Sequence, residues 1–168
     1  SLKYKINESS GLVATLFNNN LTNLIESDGS KMQNINRAKI EGLEIGFYST
    51  YANLNYSLNY SFTNARDLTN SVRLSRRPAN KLVSKIGHNY NANTIISLTS
   101  ISETSSDNSI YDNKRLGGYT AVNATLLRKN KDYDIQLKFN NIFDKKYRKA
   151  HNYNSEGRSY NLSISRSF

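Results

Sequence analysis

The sequence predicts an all-β protein, an antiparallel up-and-down meander of about nine strands. Three observations carry this expectation. Apolar and polar residues alternate strictly in several windows of eight or more residues. No window shows the 3.6-residue apolar period of an amphipathic helix. The connections between windows alternate, short then long, along the chain.

In chain order, the first strand is expected at 2–7 and the second at 11–25, joined through "NESSG" (7–11). A long connection is expected at 26–35, then a third strand at 36–50. "TYAN" (50–53) turns into the clearest window, "NLNYSLNYSFT" (53–63), in which Leu54, Tyr56, Leu58, Tyr60 and Phe62 share one face and Asn53, Asn55, Ser57, Asn59, Ser61 and Thr63 the other. A polar stretch at 64–79 precedes strands at 80–90 and 93–103, which meet at "YNAN" (90–93). A second polar stretch, 104–118, leads to a strand at 119–128. "RKNKD" (128–132) turns it into "DYDIQLKFN" (132–140), where Tyr133, Ile135, Leu137 and Phe139 alternate with charged and amide residues. After a last long connection at 141–157, the chain ends in a two-faced strand: Tyr160, Leu162, Ile164, Arg166 and Phe168 against Ser159, Asn161, Ser163, Ser165 and Ser167.

Composition narrows the class. The 168 residues suit one domain, and the absence of cysteine removes disulfide frameworks and thiolate metal sites. No apolar run approaches the ~18–20 residues of a membrane helix. The net charge of +10 is scattered apart from "RKNK" (128–131) and "DKKYRK" (144–149), which fits loops and a solvated strand face better than a nucleic-acid surface. The first residue is Ser1, so processing or truncation of a longer product is expected.

The apolar stripes carry aromatics at both ends: Tyr56 and Phe62, Tyr133 and Phe139, Tyr160 and Phe168. They also have the ~9–11 residue length with which a tilted strand crosses a bilayer. Together these favour a transmembrane β-barrel, its apolar face on lipid and its polar face on a wet lumen, over a soluble all-β binding protein with two packed sheets. The short turns and the C-terminus are then periplasmic, and the long connections extracellular. Bacterial single-chain barrels have even strand counts, and an open sheet edge is not tolerated in lipid. Nine strands therefore read as part of a barrel.

The segment "NNIFDKKYRKAHNYNSEGRSYNLSISRSF" resembles the C-terminal end of TonB-dependent outer-membrane receptors, through Asn141, Ile142, Phe143, Asp144, Lys145, Tyr147, Gly157, Arg158 and Phe168. Departures are Ile142 for the usual Leu, and Arg166 where the family usually has an aromatic or apolar residue. "NINRAKIEGLEIGF" (34–47), "RLSRRPANKL" (73–82) and "KRLGGYTAVNATL" (114–126) resemble further strands of the same family in the same order. With "NYSFTNARD" (59–67), the spacing is most similar to the vitamin B12 (cobalamin) receptor branch.

The resemblance implies that residues 1–168 are the C-terminal part of a barrel of about 22 strands. The plug domain and the N-terminal barrel strands are expected from elsewhere, and TonB is expected to act through the plug. It also implies a Gram-negative outer membrane, active transport of cobalamin or a similar large scarce ligand, and no enzyme activity or cofactor. Alternatives are an iron–siderophore receptor, or a passive porin or scaffold barrel. Tyr160, Leu162, Ile164 and Phe168 are the expected signal for the barrel-assembly machinery. Arg76, the first of the Arg-Arg-Pro element, and Tyr153, four residues before Gly157, are the expected substrate-binding residues. His88 and His151 lack partners for catalysis or metal binding, and "DNSIYDNK" (107–114) lacks the spacing of a calcium loop.

Overall fold

The structure is a computed structural model, and it describes residues 1–27 and 31–166. It contains β1 (Leu2–Asn7), β2 (Ser10–Ser27), β3 (Met32–Tyr51), β4 (Leu54–Asp67), β5 (Val72–Arg73), β6 (Asn80–Asn91) and β7 (Thr94–Glu103). These are followed by β8 (Ser106–Asp107), β9 (Arg115–Leu116), β10 (Tyr119–Lys129), β11 (Tyr133–Asn140) and β12 (Ser159–Arg166). The nine long strands pair in the order β1-β2-β3-β4-β6-β7-β10-β11-β12, every pair antiparallel. β5 sits on the end of β4, and β8 and β9 form a separate two-stranded ribbon. The predicted meander is thus present, as an open sheet whose free edges are β1 and β12.

The tight turns gather at one end of the sheet, and local side-chain bonds fix several of them. Asn7 Oδ1 accepts the Ser9 N–H at 2.9 Å and Asn91 Oδ1 accepts the Asn93 N–H at 2.9 Å, both Asx-type turns. Ala52 turns the β3–β4 hairpin with φ of 49°. At the other end lie the connections 68–79, 104–118 and 141–158.

The first expected long connection, 26–35, is corrected. β2 and β3 stay paired as far as Ser27↔Met32, so most of that stretch is strand. The apolar alternation has already faded before it, in "NNNLTN" (18–23), while the backbone ladder continues. Asn23, with φ of 57°, also interrupts the pleat on which period-2 patterning depends.

Register brings the apolar stripes into rows. Leu58 stands opposite Phe47 and Ser84, Tyr60 opposite Ile45 and Leu82, Leu137 opposite Leu126 and Leu162. Among the described residues nothing covers that face of the single layer: Leu162 is 63% exposed and Ile164 67%. A soluble sandwich would bury these residues against a second sheet. The small buried cluster lies at the loop end on the other face, where Ala38, Ala65 and Leu74 pack with Leu21, Ile40 and Ile110.

Candidate binding surface at the loop end

The last loop is held by the motif that opens it. Asn141 is buried, with φ of 48°. Its side-chain NH2 donates to Lys145 O at 3.0 Å and Glu156 O at 3.4 Å, and its Oδ1 accepts the Lys145 N–H at 2.8 Å. Its own N–H donates to Asn123 Oδ1 on β10 at 2.8 Å. Asp144 closes the far side: Oδ1 accepts the Arg158 N–H at 3.0 Å and Oδ2 meets Lys146 Nζ at 2.9 Å. The Lys146 ammonium first, and the Arg158 N–H second, hold this carboxyl below its ordinary value. Gly157 is required by close approach, since a Cβ there would fall 2.8 Å from Asp144 Oδ1.

Folding the loop back in this way lays the Tyr147 ring on Tyr119 at the start of β10. The centroids are 3.9 Å apart and the planes within 12° of parallel, and Lys149 Nζ stands 5.8 Å from the Tyr119 centroid. Tyr119 stands opposite Glu103 on β7, which in turn is opposite Lys81 on β6 and bonded to it at 3.2 Å.

Arg76 joins a second part of the rim. It has φ of 55°, its N–H donates to Asp107 O at 2.7 Å, and its Nε donates to Asn108 O at 3.3 Å, so it clamps the β8–β9 ribbon. That ribbon is braced by Arg115 against Asp107 at 3.6 Å, and by Asp112, which accepts from Asn108 Nδ2 at 2.7 Å and the Lys114 N–H at 3.0 Å. The Asn108 amide, then the Lys114 N–H, lower the Asp112 pKa. The acidic residues of 107–114 therefore serve the loop itself. The loops are tied together where the His151 N–H donates to Asn108 Oδ1 at 2.8 Å.

Between these parts lies a hollow of about 340 Å3. Five cations line it, Arg76, Arg77, Lys81, Arg148 and Lys149, together with the Tyr119 ring. The lone lining carboxylate, Glu103, is already occupied by Lys81. A second hollow of about 540 Å3 continues past Leu116, Gly117 and Arg148 and adds Arg115, Lys145, Lys146 and His151. The surface is suited to a large anion with planar groups.

Arg76 is thus at the hollow. Tyr153 is not among the lining residues: it is 73% exposed, and its N–H donates to Ala150 O at 3.2 Å. Tyr160, Leu162 and Ile164 align on the apolar face of β12 opposite Phe139, Leu137 and Ile135. Phe168 lies outside the described residues. His88 meets Tyr90 edge-on at 6.4 Å. Among the described residues no three His, Cys, Asp or Glu side chains gather as a metal-binding group. Sequence reasoning missed Tyr119, Lys81, Arg148 and Lys149. Of these, only the basic run around Tyr147 carried a local signal.

Residues 1–142 match a family model described as "TonB dependent receptor-like, beta-barrel". No curated protein matches the sequence. Among solved structures, the siderophore receptor PiuA from Acinetobacter baumannii is similar at TM-score 0.75 and 19% identity, over 96% of this chain and 27% of that one. A variant of the ferric enterobactin receptor PfeA from Pseudomonas aeruginosa is similar at TM-score 0.80 and 18% identity, over 99% and 30%. The copper transporter OprC is similar at TM-score 0.83 and 13% identity, over 99% and 30%. At such identities the likeness speaks to the fold alone, and this chain spans under a third of the length of those receptors.

Proposed function

The chain belongs to the TonB-dependent receptor-like β-barrel family, and from that premise we propose that it is the C-terminal barrel portion of an outer-membrane active-transport receptor. It supplies part of the wall, the extracellular loops and the assembly signal at Tyr160, Leu162, Ile164 and Phe168. The remaining strands and a plug complete the barrel along the free edges of β1 and β12. TonB acts through the plug, so the energy for release reaches the ligand from outside this segment. The tight turns and the C-terminus are periplasmic.

The ligand is captured at the loop end. The observation that carries this is the hollow with five cations and a single, already paired carboxylate. An anionic metal chelate of the ferric–siderophore kind fits that charge best, because each oxygen can take a charge-assisted hydrogen bond. Cobalamin is the second candidate. It is favoured by Arg76 of the Arg-Arg-Pro element standing at the hollow, where a planar fork can meet the ligand's amide and phosphate oxygens. A passive anion-selective pore would also carry cations at its mouth, so saturable tight binding, rather than charge alone, separates it from a receptor.

The test is equilibrium binding to the complete receptor in detergent, with anionic ferric chelates and cyanocobalamin side by side. Tight binding of a chelate that weakens with added salt is expected. Salt-insensitive cobalamin binding would select the second candidate, and saturable binding of neither would remove the receptor function. Protease added to intact cells should cut within 104–118 and 141–158. Cuts confined to the tight turns would reverse the orientation.

A further inference from the structure

The stretch where β3 and β4 run past the apolar stripe places cations on the outward side of the sheet. Lys39 stands directly opposite Arg66, and Arg66 directly opposite Arg73 on β5, so the three share one face in a row across three strands. Their sequence neighbours Ala38, Ala65 and Leu74 form the buried cluster on the other face, which fixes the outward direction independently. Arg37 lies on the same face one row further on, two residues before Lys39. Arg37, Arg66 and Arg73 are all exposed. The one carboxylate of the group, Glu41, is bonded to Lys39 at 2.6 Å. Arg66 Nε donates only to Asn64 Oδ1, at 3.3 Å, and neither Arg37 nor Arg73 bonds a side chain among the described residues.

The height of this row says what it meets. Arg66 is four residues beyond Phe62, the last member of the apolar stripe on β4, and Lys39 is four residues beyond Leu43, opposite Phe62. That is ~13 Å along a strand, or ~10 Å of height at a tilt of ~40°. The interfacial zone of a bilayer is ~5–8 Å deep on each side. Long basic side chains bend back by several ångströms to reach it. The geometry points to a docking surface for a phosphorylated lipid headgroup of the outer leaflet, gripped by Arg66 and Arg73 with Lys39 and Arg37 at its margin. This rests on the membrane-barrel reading above. It concerns the outside of the wall, not the ligand hollow. Guanidinium forks bond phosphate oxygens in pairs, and the sign and spacing of the row leave the phosphates nothing to repel them but Glu41.

The test uses the complete receptor purified in detergent and exposed to lipid A or to its dephosphorylated form, with bound lipid counted by native mass spectrometry. Arg66→Gln with Arg73→Gln is compared with Lys129→Gln with Lys131→Gln, an equal charge change at the turn end. The arginine pair should lower the apparent affinity for phosphorylated lipid at least ~10-fold, while the lysine pair and wild type stay alike. Dephosphorylated lipid should bind weakly to all three. Equal loss in both variants, equal retention in both, or indifference to the phosphates would overturn the proposal. So would displacement by low concentrations of inorganic phosphate, which would show only a small-anion site. Outer-membrane fractionation and heat-modifiable migration of the same preparations are read first. Failure of wild type there removes the barrel reading itself, whereas a folded wild type that ignores the phosphates removes only the headgroup site.

Discussion

Tyr147 lies flat on Tyr119, with centroids 3.9 Å apart and planes 12° apart, although 28 residues separate them in the chain. The contact joins the last loop to the rim of the sheet and holds Arg148 and Lys149 at the hollow. Tyr147→Ala should free the loop. The stack is worth ~0.5–1.5 kcal/mol beyond the area it buries, so cleavage within 145–156 of the complete receptor should accelerate several-fold. Tyr147→Phe should behave as wild type. Equal cleavage of the alanine and phenylalanine variants would show that the stack does not restrain the loop.

Asn141 should be the most sensitive position of the loop. Alanine removes three side-chain hydrogen bonds, to Lys145 and Glu156, at a backbone φ of 48° that asparagine tolerates better than alanine. A loss of ~2–4 kcal/mol is expected, read as a lower urea midpoint of the refolded receptor. Glycine relieves the backbone but restores no bond, so Asn141→Gly should recover only part of the loss. An unchanged midpoint for the alanine variant would sink the idea.

Arg76→Ala should weaken ligand binding about tenfold to a hundredfold, the value of one charge-assisted hydrogen bond of ~1.5–3 kcal/mol. Because Arg76 also clamps the ribbon through Asn108 O, part of the loss should come from loop placement. Arg77→Ala, at a residue lining the same hollow without that clamp, separates the two. If both variants bind equally well and like wild type, the hollow is not the ligand site. Tyr153→Ala should have the smaller effect, as that ring is exposed and off the hollow.

The order of the loop should be pH-dependent through Asp144. Its folded pKa lies below the ordinary carboxylate value because of Lys146 and then the Arg158 N–H. A depressed value contributes stability that is complete above the unfolded pKa of ~4 and fades as pH falls through the lower folded one. Loop cleavage by an acid-stable protease should therefore rise below about pH 4. In Asp144→Asn it should be raised at all pH values and flat. A variant that keeps the wild-type acid dependence would assign it to another carboxyl.

The alternation in β4 as far as Phe62, in β11, and in β12 as far as Ile164 is legible because one face is apolar and the other polar. The outer halves of β2 and β3 are not, since "NNNLTN" and "NINRAK" sit beyond the apolar band. The outward face is polar there and the inward face carries only scattered apolar residues such as Leu21 and Ala38, so the period-2 contrast is weak while the hydrogen-bond ladder continues. At the site, Asn141, Asp144, Tyr147 and Gly157 stand out as one local motif and prove to hold one local structure. The meeting of Tyr147 with Tyr119, and of Lys81 with Glu103, depends on loop return and strand register, which no local window contains.

The meander pairs each long strand only with its successor or predecessor among the long strands. Such a sheet can zip up hairpin by hairpin, each step closing a loop of modest length at a modest entropy cost. On the barrel reading proposed above, β1 meets its own predecessor through one more hairpin, whereas β12 must meet the first strand of the barrel across the whole length of the wall. Contact order places the kinetic bottleneck at that seam rather than within the sheet. Variants that slow maturation without altering final stability should therefore cluster on β12, with β1 and the interior hairpins largely silent.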